Sequence, residues 1–253
     1  MRKLVHISLV AVLVVFSCKR DNNNDTPKGY PILDEQTQKE YDDSAIKEYL
    51  NSHYFDERGR VKAIPSGDDS KEKLSNHAKV LSSGVVYVIR PDAQPTNGID
   101  VTDNKVLSMM LISHAARAVW LENKSSIGFI GDSNFANTIN TGGDILRDPM
   151  WHYVKNKDIE SEQERLDKNP NNKIKITRNF FEIEGFKEAI KKFKSFDNSP
   201  DENYNLQGLI IVPSRAAFGK EPHYIYTDKS LNDHTFFFNF QLYKAEDRKP
   251  EEK

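Results

Sequence analysis

The segment Thr235-Phe-Phe-Phe-Asn-Phe-Gln-Leu-Tyr243 reads as a β-strand more clearly than any other stretch of the chain. Its alternation puts Phe236, Phe238, Phe240 and Leu242 on one face and Phe237, Asn239, Gln241 and Tyr243 on the other. Two further runs share this character. Leu206-Gln-Gly-Leu-Ile-Ile-Val-Pro213 is a strand stopped by proline, and Val85-Val-Tyr-Val-Ile-Arg90 is a β-rich run followed by Pro91 and Pro95. Between them, Glu184 to Phe193 brings Phe186, Ala189, Ile190 and Phe193 onto one side at helical spacing. The lysines and Glu188 fall elsewhere, so this is a short amphipathic helix starting near Gly185. Lys105 to Leu121 is long enough for a helix but equally readable as a long bent strand, because its apolar runs do not settle the period. A curved antiparallel sheet wrapped against one short helix accounts for this order and makes the class α+β.

Upstream, Asp42-Asp-Ser offers capping groups, and Ile46, Tyr49, Leu50 and His53 keep the 3–4 spacing of one helical face. Thr37 to Tyr54 is therefore read as a helical region whose role is packing. Residues 141–176 are poor in apolar side chains after Tyr153 and read as a surface insertion, with Trp151 and Tyr153 pinning one end to the body. The charged tail from Asp247 reads as loose.

The N-terminus carries an address. Arg2 and Lys3 precede a mostly apolar stretch from Leu4 to Phe16, too short to cross a bilayer, which needs about 20 residues. It suits the apolar region of a secretory signal. The stretch closes on Val15-Phe-Ser-Cys18, which resembles the lipobox of bacterial lipoproteins. Cys18 is the only cysteine, and its thiol would carry the lipid. The competing reading is a chance cysteine ending an ordinary signal peptide. Lys19 to Gly29 holds no apolar residue and reads as a flexible tether.

The formal net charge is −2, and more negative once Arg2 and Lys3 are removed. Nucleic acid is a poor fit as partner, since it would reward a basic field. With one cysteine there is no intramolecular disulfide and no multi-cysteine metal site. The seven histidines are dispersed, with no His-x-x-x-His pair, so neither metal nor cofactor is expected. Ser133 and Ser214 lie in no nucleophile elbow.

The C-terminal third resembles the FKBP-type peptidyl-prolyl isomerase family. Ile183-Glu-Gly-Phe186 with Lys187-Glu-Ala-Ile190 is similar to that family's V-I-x-G-W-x-E-G/A stretch. Gly208 to Gly219 is similar to its x-x-I-P-x-x-x-A-Y-G strand and loop, and Thr235 to Leu242 to its closing strand. Ser83 to Ile89 resembles the entry strand of secreted bacterial members, in which a helical extension precedes the isomerase domain. With the lipobox and Asn-rich tether, the chain resembles the FKBP-type lipoproteins of Bacteroidota, some of them linked to gliding motility. The implied division is a signal peptide over 1–17, a lipidated tether over 18–36, a helical extension over 37–79, an FKBP-like domain over 80–246 carrying the insertion, and the tail over 247–253.

The resemblance also implies site residues. Ile183 and Phe186 would form the wall and floor of a proline pocket, with phenylalanine where the family usually has tryptophan. Phe238 would supply the aromatic of the final strand. Phe218 stands where typical members have a tyrosine whose hydroxyl binds a ligand carbonyl. The family's Ile-Pro dipeptide is replaced by the region Glu221-Pro-His-Tyr-Ile-Tyr226, and Asp132 is the weak counterpart of the pocket aspartate. Prolyl isomerisation needs neither nucleophile nor metal. The barrier is the partial double bond of the amide, roughly 18–20 kcal/mol, and an apolar, dehydrated pocket can favour the twisted form. Two functions are then in play: an envelope-anchored isomerase or folding factor acting on exported or outer-membrane proteins with accessible X–Pro segments, or a noncatalytic module on the same fold that holds an envelope protein. Helical spacing around Phe186 and strand alternation around Phe238 also fit ordinary core positions.

Overall fold

The computed structural model describes residues 30–139, 144–199 and 202–252. Cys18, the signal segment and most of the tether lie outside the described residues. The elements are helix α1 (Glu35–Ser52), strands β1 (His53–Phe55), β2 (Val61–Ala63), β3 (Ala78–Val80), β4 (Val86–Ile89), β5 (Ile99–Asp100), β6 (Lys105–Leu121), β7 (Ser126–Asn137) and β8 (Leu146–Arg147), helix α2 (Asn156–Asp167), helix α3 (Glu184–Ile190), and strands β9 (Lys194–Ser195), β10 (Gly208–Val212) and β11 (His234–Asp247).

The main sheet is antiparallel in the order β3-β4-β10-β11-β6-β7, with β8 also on β6. The closing strand β11 sits at its middle, between β10 and β6. Register shifts at Leu242/Lys244 and beside Ser113 and Ala115 bend the long strands, as bulges do. One face packs on α3 and holds Leu107, Met109, Leu111, Ile210, Val212, Phe236, Phe238, Phe240 and Leu242 with Phe186, Ile190 and Phe193. The other face packs on α1, where Val86, Val88, Leu209, Ile211 and Phe237 meet Ile46 and Leu50. The molecule is thus α+β, a bent antiparallel sheet against a short helix, the arrangement the resemblance implies.

Covering both faces explains why Lys105 to Leu121 gave no period. It is one 17-residue strand, buried on both sides for most of its length, so the polar half of the alternation is missing. The helix expected over Glu184 to Phe193 forms but ends at Ile190, with Phe193 beyond it still in the core. Gly185 itself is required by packing: a Cβ there would stand 2.6 Å from Val212 Cγ1 and 2.9 Å from the Ala216 carbonyl. Gly185→Ala is expected to cost about 1–3 kcal/mol by overpacking α3 against β4 and β10, read from urea unfolding. No measurable loss would mean that α3 is not held this close.

Three expectations need correction. The N-terminal extension is helical only to Ser52; β1 and β2 then form a hairpin and β3 joins the edge of the main sheet. Gly59 makes the turn of that hairpin with φ 79°, where a Cβ would fall 2.1 Å from the Leu206 carbonyl. The helix cap is Asp34, inside the span read as tether, whose carboxylate accepts the Thr37 amide at 2.9 Å. Asp42 is instead a buried mid-helix residue that accepts the Ser214 amide at 2.9 Å, the Ser214 hydroxyl at 2.6 Å and the Gln38 side chain at 2.9 Å. Burial raises its pKa above the usual carboxylate range despite these donors. It locks α1 to the turn after β10.

The tail is the third. β11 continues to Asp247, and Arg248 is buried, paired with Asp148 at 2.5 and 2.9 Å and lying 3.4 Å from the centre of the Tyr153 ring. The run of charges hid a side chain whose carboxylate partner lies 100 residues away.

Candidate functional site

Ile183, Phe186 and Phe238 have no exposed surface, and Phe218 has 4%. All four belong to the core cluster between α3 and the sheet. Phe186 and Phe238 are brought together, with ring centres 4.6 Å apart. Phe218 reaches them through Phe236, 5.7 Å from it and 6.2 Å from Phe238. Ile183 immediately precedes α3, and its amide is already engaged, donating to the Trp151 carbonyl at 2.8 Å.

The box these rings begin is completed by three side chains absent from the inferred site. Trp151 lies 4.9 Å from Phe135, 6.0 Å from Tyr226 and 6.4 Å from Phe238 between ring centres. Phe135 stands 5.1 Å from Phe236 and 5.3 Å from Tyr226. Phe135 and Tyr226 are only half-buried, so the box meets solvent on their side. Trp151, read in the sequence as a pin at one end of residues 141–176, packs into the main core cluster. Nothing in its spacing linked it to Phe238, because that contact spans 87 positions of chain.

Each newcomer is held by identifiable bonds. Residues 148–153 turn through the Pro149 carbonyl, which accepts the amides of His152 and Tyr153 at 2.8 and 3.0 Å. Asp148 anchors that turn, paired with Arg248 and 3.3 Å from His152 Nδ1. Burial would raise the Asp148 pKa, but these bonds outweigh it and hold the carboxyl below its usual range. The Tyr153 ring lies between the guanidinium groups of Arg248 and Arg178, the latter 4.6 Å from its centre. The loop after Phe218 is tied down where the Tyr226 hydroxyl donates to the Phe181 carbonyl at 2.6 Å and the Tyr224 amide to Phe180 at 2.7 Å. Burial raises the Tyr226 pKa and keeps the phenol protonated.

His223 stacks on Phe218 at 4.6 Å. Its Nδ1 faces the Tyr224 carbonyl at 2.8 Å while Nε2 accepts the Leu231 amide at 3.0 Å, a pattern that requires the neutral ring. Burial lowers its pKa in the same sense. Asp132 does not belong to the box. It is exposed on β7, and its charge acts on Tyr49 and His114, which pack against Phe237 on the α1 side of the sheet. A strand carries alternate side chains to opposite faces, so an alignment one residue out exchanges the two.

The insertion read over 141–176 contains α2, and its Val154, Ile159 and Leu166 share an apolar patch with Phe180, Phe181 and Tyr224 beyond it. Its base carries a buried carboxylate, Glu182, which accepts the Val154 amide at 2.9 Å and pairs with Lys187 at 2.7 Å and Arg178 at 3.2 Å. Lys187 therefore bridges to this site and is not simply part of the wet face of α3.

Chemically, the box is a packed apolar, aromatic cluster whose half-buried edge is formed by Phe135 and Tyr226. Aromatic faces of this kind suit contact with a small apolar ring such as proline. Solved structures that align with the chain include FkpA from Escherichia coli, 15% identical with a TM-score of 0.33, covering 68% of this chain and 53% of that one. A peptidyl-prolyl cis-trans isomerase from Pseudomonas syringae pv. tomato aligns at 12% identity and a TM-score of 0.30, covering 67% of this chain and 81% of that one. The N-terminal domain of FKBP42 from Arabidopsis thaliana aligns at 14% and 0.36, covering 73% and 98%. The likenesses are distant, and the chain spans about half the length of the FkpA chain. No family model matches the sequence, and no curated protein matches it significantly.

Proposed function

We propose that this protein is an envelope lipoprotein, tethered through Cys18, whose FKBP-like domain binds X–Pro segments of exported or outer-membrane proteins as a folding factor with weak prolyl isomerase activity. The observation that carries the reading is the aromatic box itself: Phe186, Phe238, Phe218, Trp151, Phe135 and Tyr226 pack into one apolar cluster that meets solvent beside Phe135 and Tyr226. The N-terminal signal pattern supports the address, and the motifs around Ile183, Gly208 and Thr235 support the class.

Catalysis is expected to be weak because Phe218 has no hydroxyl with which to hold a ligand carbonyl. The same observation favours a second reading, a noncatalytic module that holds a partner through this cluster. Exchange spectroscopy on a succinylated Ala-Leu-Pro-Phe amide with the full chain separates them. The isomerase reading expects cis–trans exchange above the uncatalysed rate and a severalfold rise in Phe218→Tyr. Binding with background exchange in both proteins would leave the second reading. Neither binding nor exchange would remove both.

A further inference from the structure

We propose that the Trp151 indole N–H is the hydrogen-bond donor of the X–Pro site, taking a peptide carbonyl next to the proline. The inference rests on the prolyl-binding reading and assigns its recognition group. Trp151 is 7% exposed, and its Nε1 is fully buried with no hydrogen-bond partner. A buried N–H left unpaired costs about 1–3 kcal/mol, so native cores seldom keep one without a use.

The other donors beside the box are committed. The Tyr226 hydroxyl donates to Phe181, the Ile183 amide to Trp151, and His223 Nδ1 lies against the Tyr224 carbonyl while its Nε2 accepts. Phe218 offers no donor. A peptide carbonyl brought against this aromatic cluster loses water and must find a new partner. The Trp151 N–H supplies one from among Phe135, Tyr226 and Phe238, the rings that would enclose the proline. The same residue offers its backbone carbonyl to Ile183, so the indole is fixed relative to the start of α3. The donor missing at Phe218 is thus supplied by Trp151.

The chain has two tryptophans, which makes the test internal. Trp120 is 46% exposed at the β6–β7 end and lines a separate cleft of about 740 Å³ with Tyr30, Leu33 and Phe129. In the 15N-labelled full chain, titration with the succinylated Ala-Leu-Pro-Phe amide should shift the Trp151 indole signal downfield and slow its solvent exchange, while the Trp120 signal stays. Trp151→Phe keeps an aromatic filler and removes the donor, so affinity should fall about fivefold to tenfold; Trp120→Phe should bind as the parent does. A bound peptide that leaves the Trp151 signal unmoved, or moves Trp120 instead, overturns the assignment while prolyl binding itself survives. Peptide that shifts no signal anywhere overturns both. Unfolding of Trp151→Phe is monitored in parallel, and the titration of the parent decides the question if that variant does not fold.

Discussion

Arg248→Ala is expected to lower stability by about 3–5 kcal/mol, the cost of leaving a buried carboxylate without its cation. Arg248 is joined to Asp148 through two hydrogen bonds, donates to the Lys105 carbonyl at 3.0 Å and covers the Tyr153 ring. Removing it strips Asp148 of its cation and releases the turn that carries Trp151. Two readouts should therefore move together: the urea midpoint falls, and peptide affinity falls beyond the loss explained by unfolded protein. Arg248→Lys keeps the charge but not the paired geometry, so it should recover part of the stability only. A loss below about 1 kcal/mol would show that the C-terminal segment is not the anchor described here.

Phe238→Ala separates core from cleft. Its ring is fully buried and touches Phe186, Phe135 and Trp151. As a core residue it should cost about 3–5 kcal/mol, the transfer of a buried phenylalanine plus the cavity left behind. Urea unfolding of the variant gives the number. A ring lining an open groove would cost much less, because water would already fill the space; a loss under about 1 kcal/mol would indicate that the box stands open in solution. Phe238 also packs on Trp151 and Phe135, so the peptide affinity of the folded variant should fall as well.

How much of this was legible depended on whether each contact was local. β11, β10 and α3 could be read because period 2, a terminating proline and helical spacing are written in consecutive residues. β6 could not, since a strand covered by α1 on one side and α3 on the other loses its polar alternation. Asp42 was misread for a related reason: a carboxylate near a helix start is usually a cap, and only the fold brings Ser214 to it, 172 positions away. The site was half legible. Ile183, Phe186 and Phe238 lie in motifs, and the structure brings Phe186 and Phe238 into contact. Trp151, Phe135 and Tyr226 come from an insertion, a strand and a loop that no local pattern connects. Asp132 shows the opposite hazard, a motif-sized guess carried to the wrong face by strand alternation.

These contacts join the two ends of the account. The Arg248–Asp148 pair holds the Trp151 turn, the Trp151 carbonyl holds Ile183, and Ile183 leads into α3, whose Phe186 packs on Phe238. The aromatic box is therefore built by the same interactions that stabilise the fold. The most direct test is prolyl cis–trans exchange in the succinylated Ala-Leu-Pro-Phe amide, measured by exchange spectroscopy at increasing concentrations of the full chain. The account predicts a rate that rises above the uncatalysed value with protein concentration and returns to it in Arg248→Ala. A rate indistinguishable from the uncatalysed one at every concentration, with no peptide bound, would contradict it.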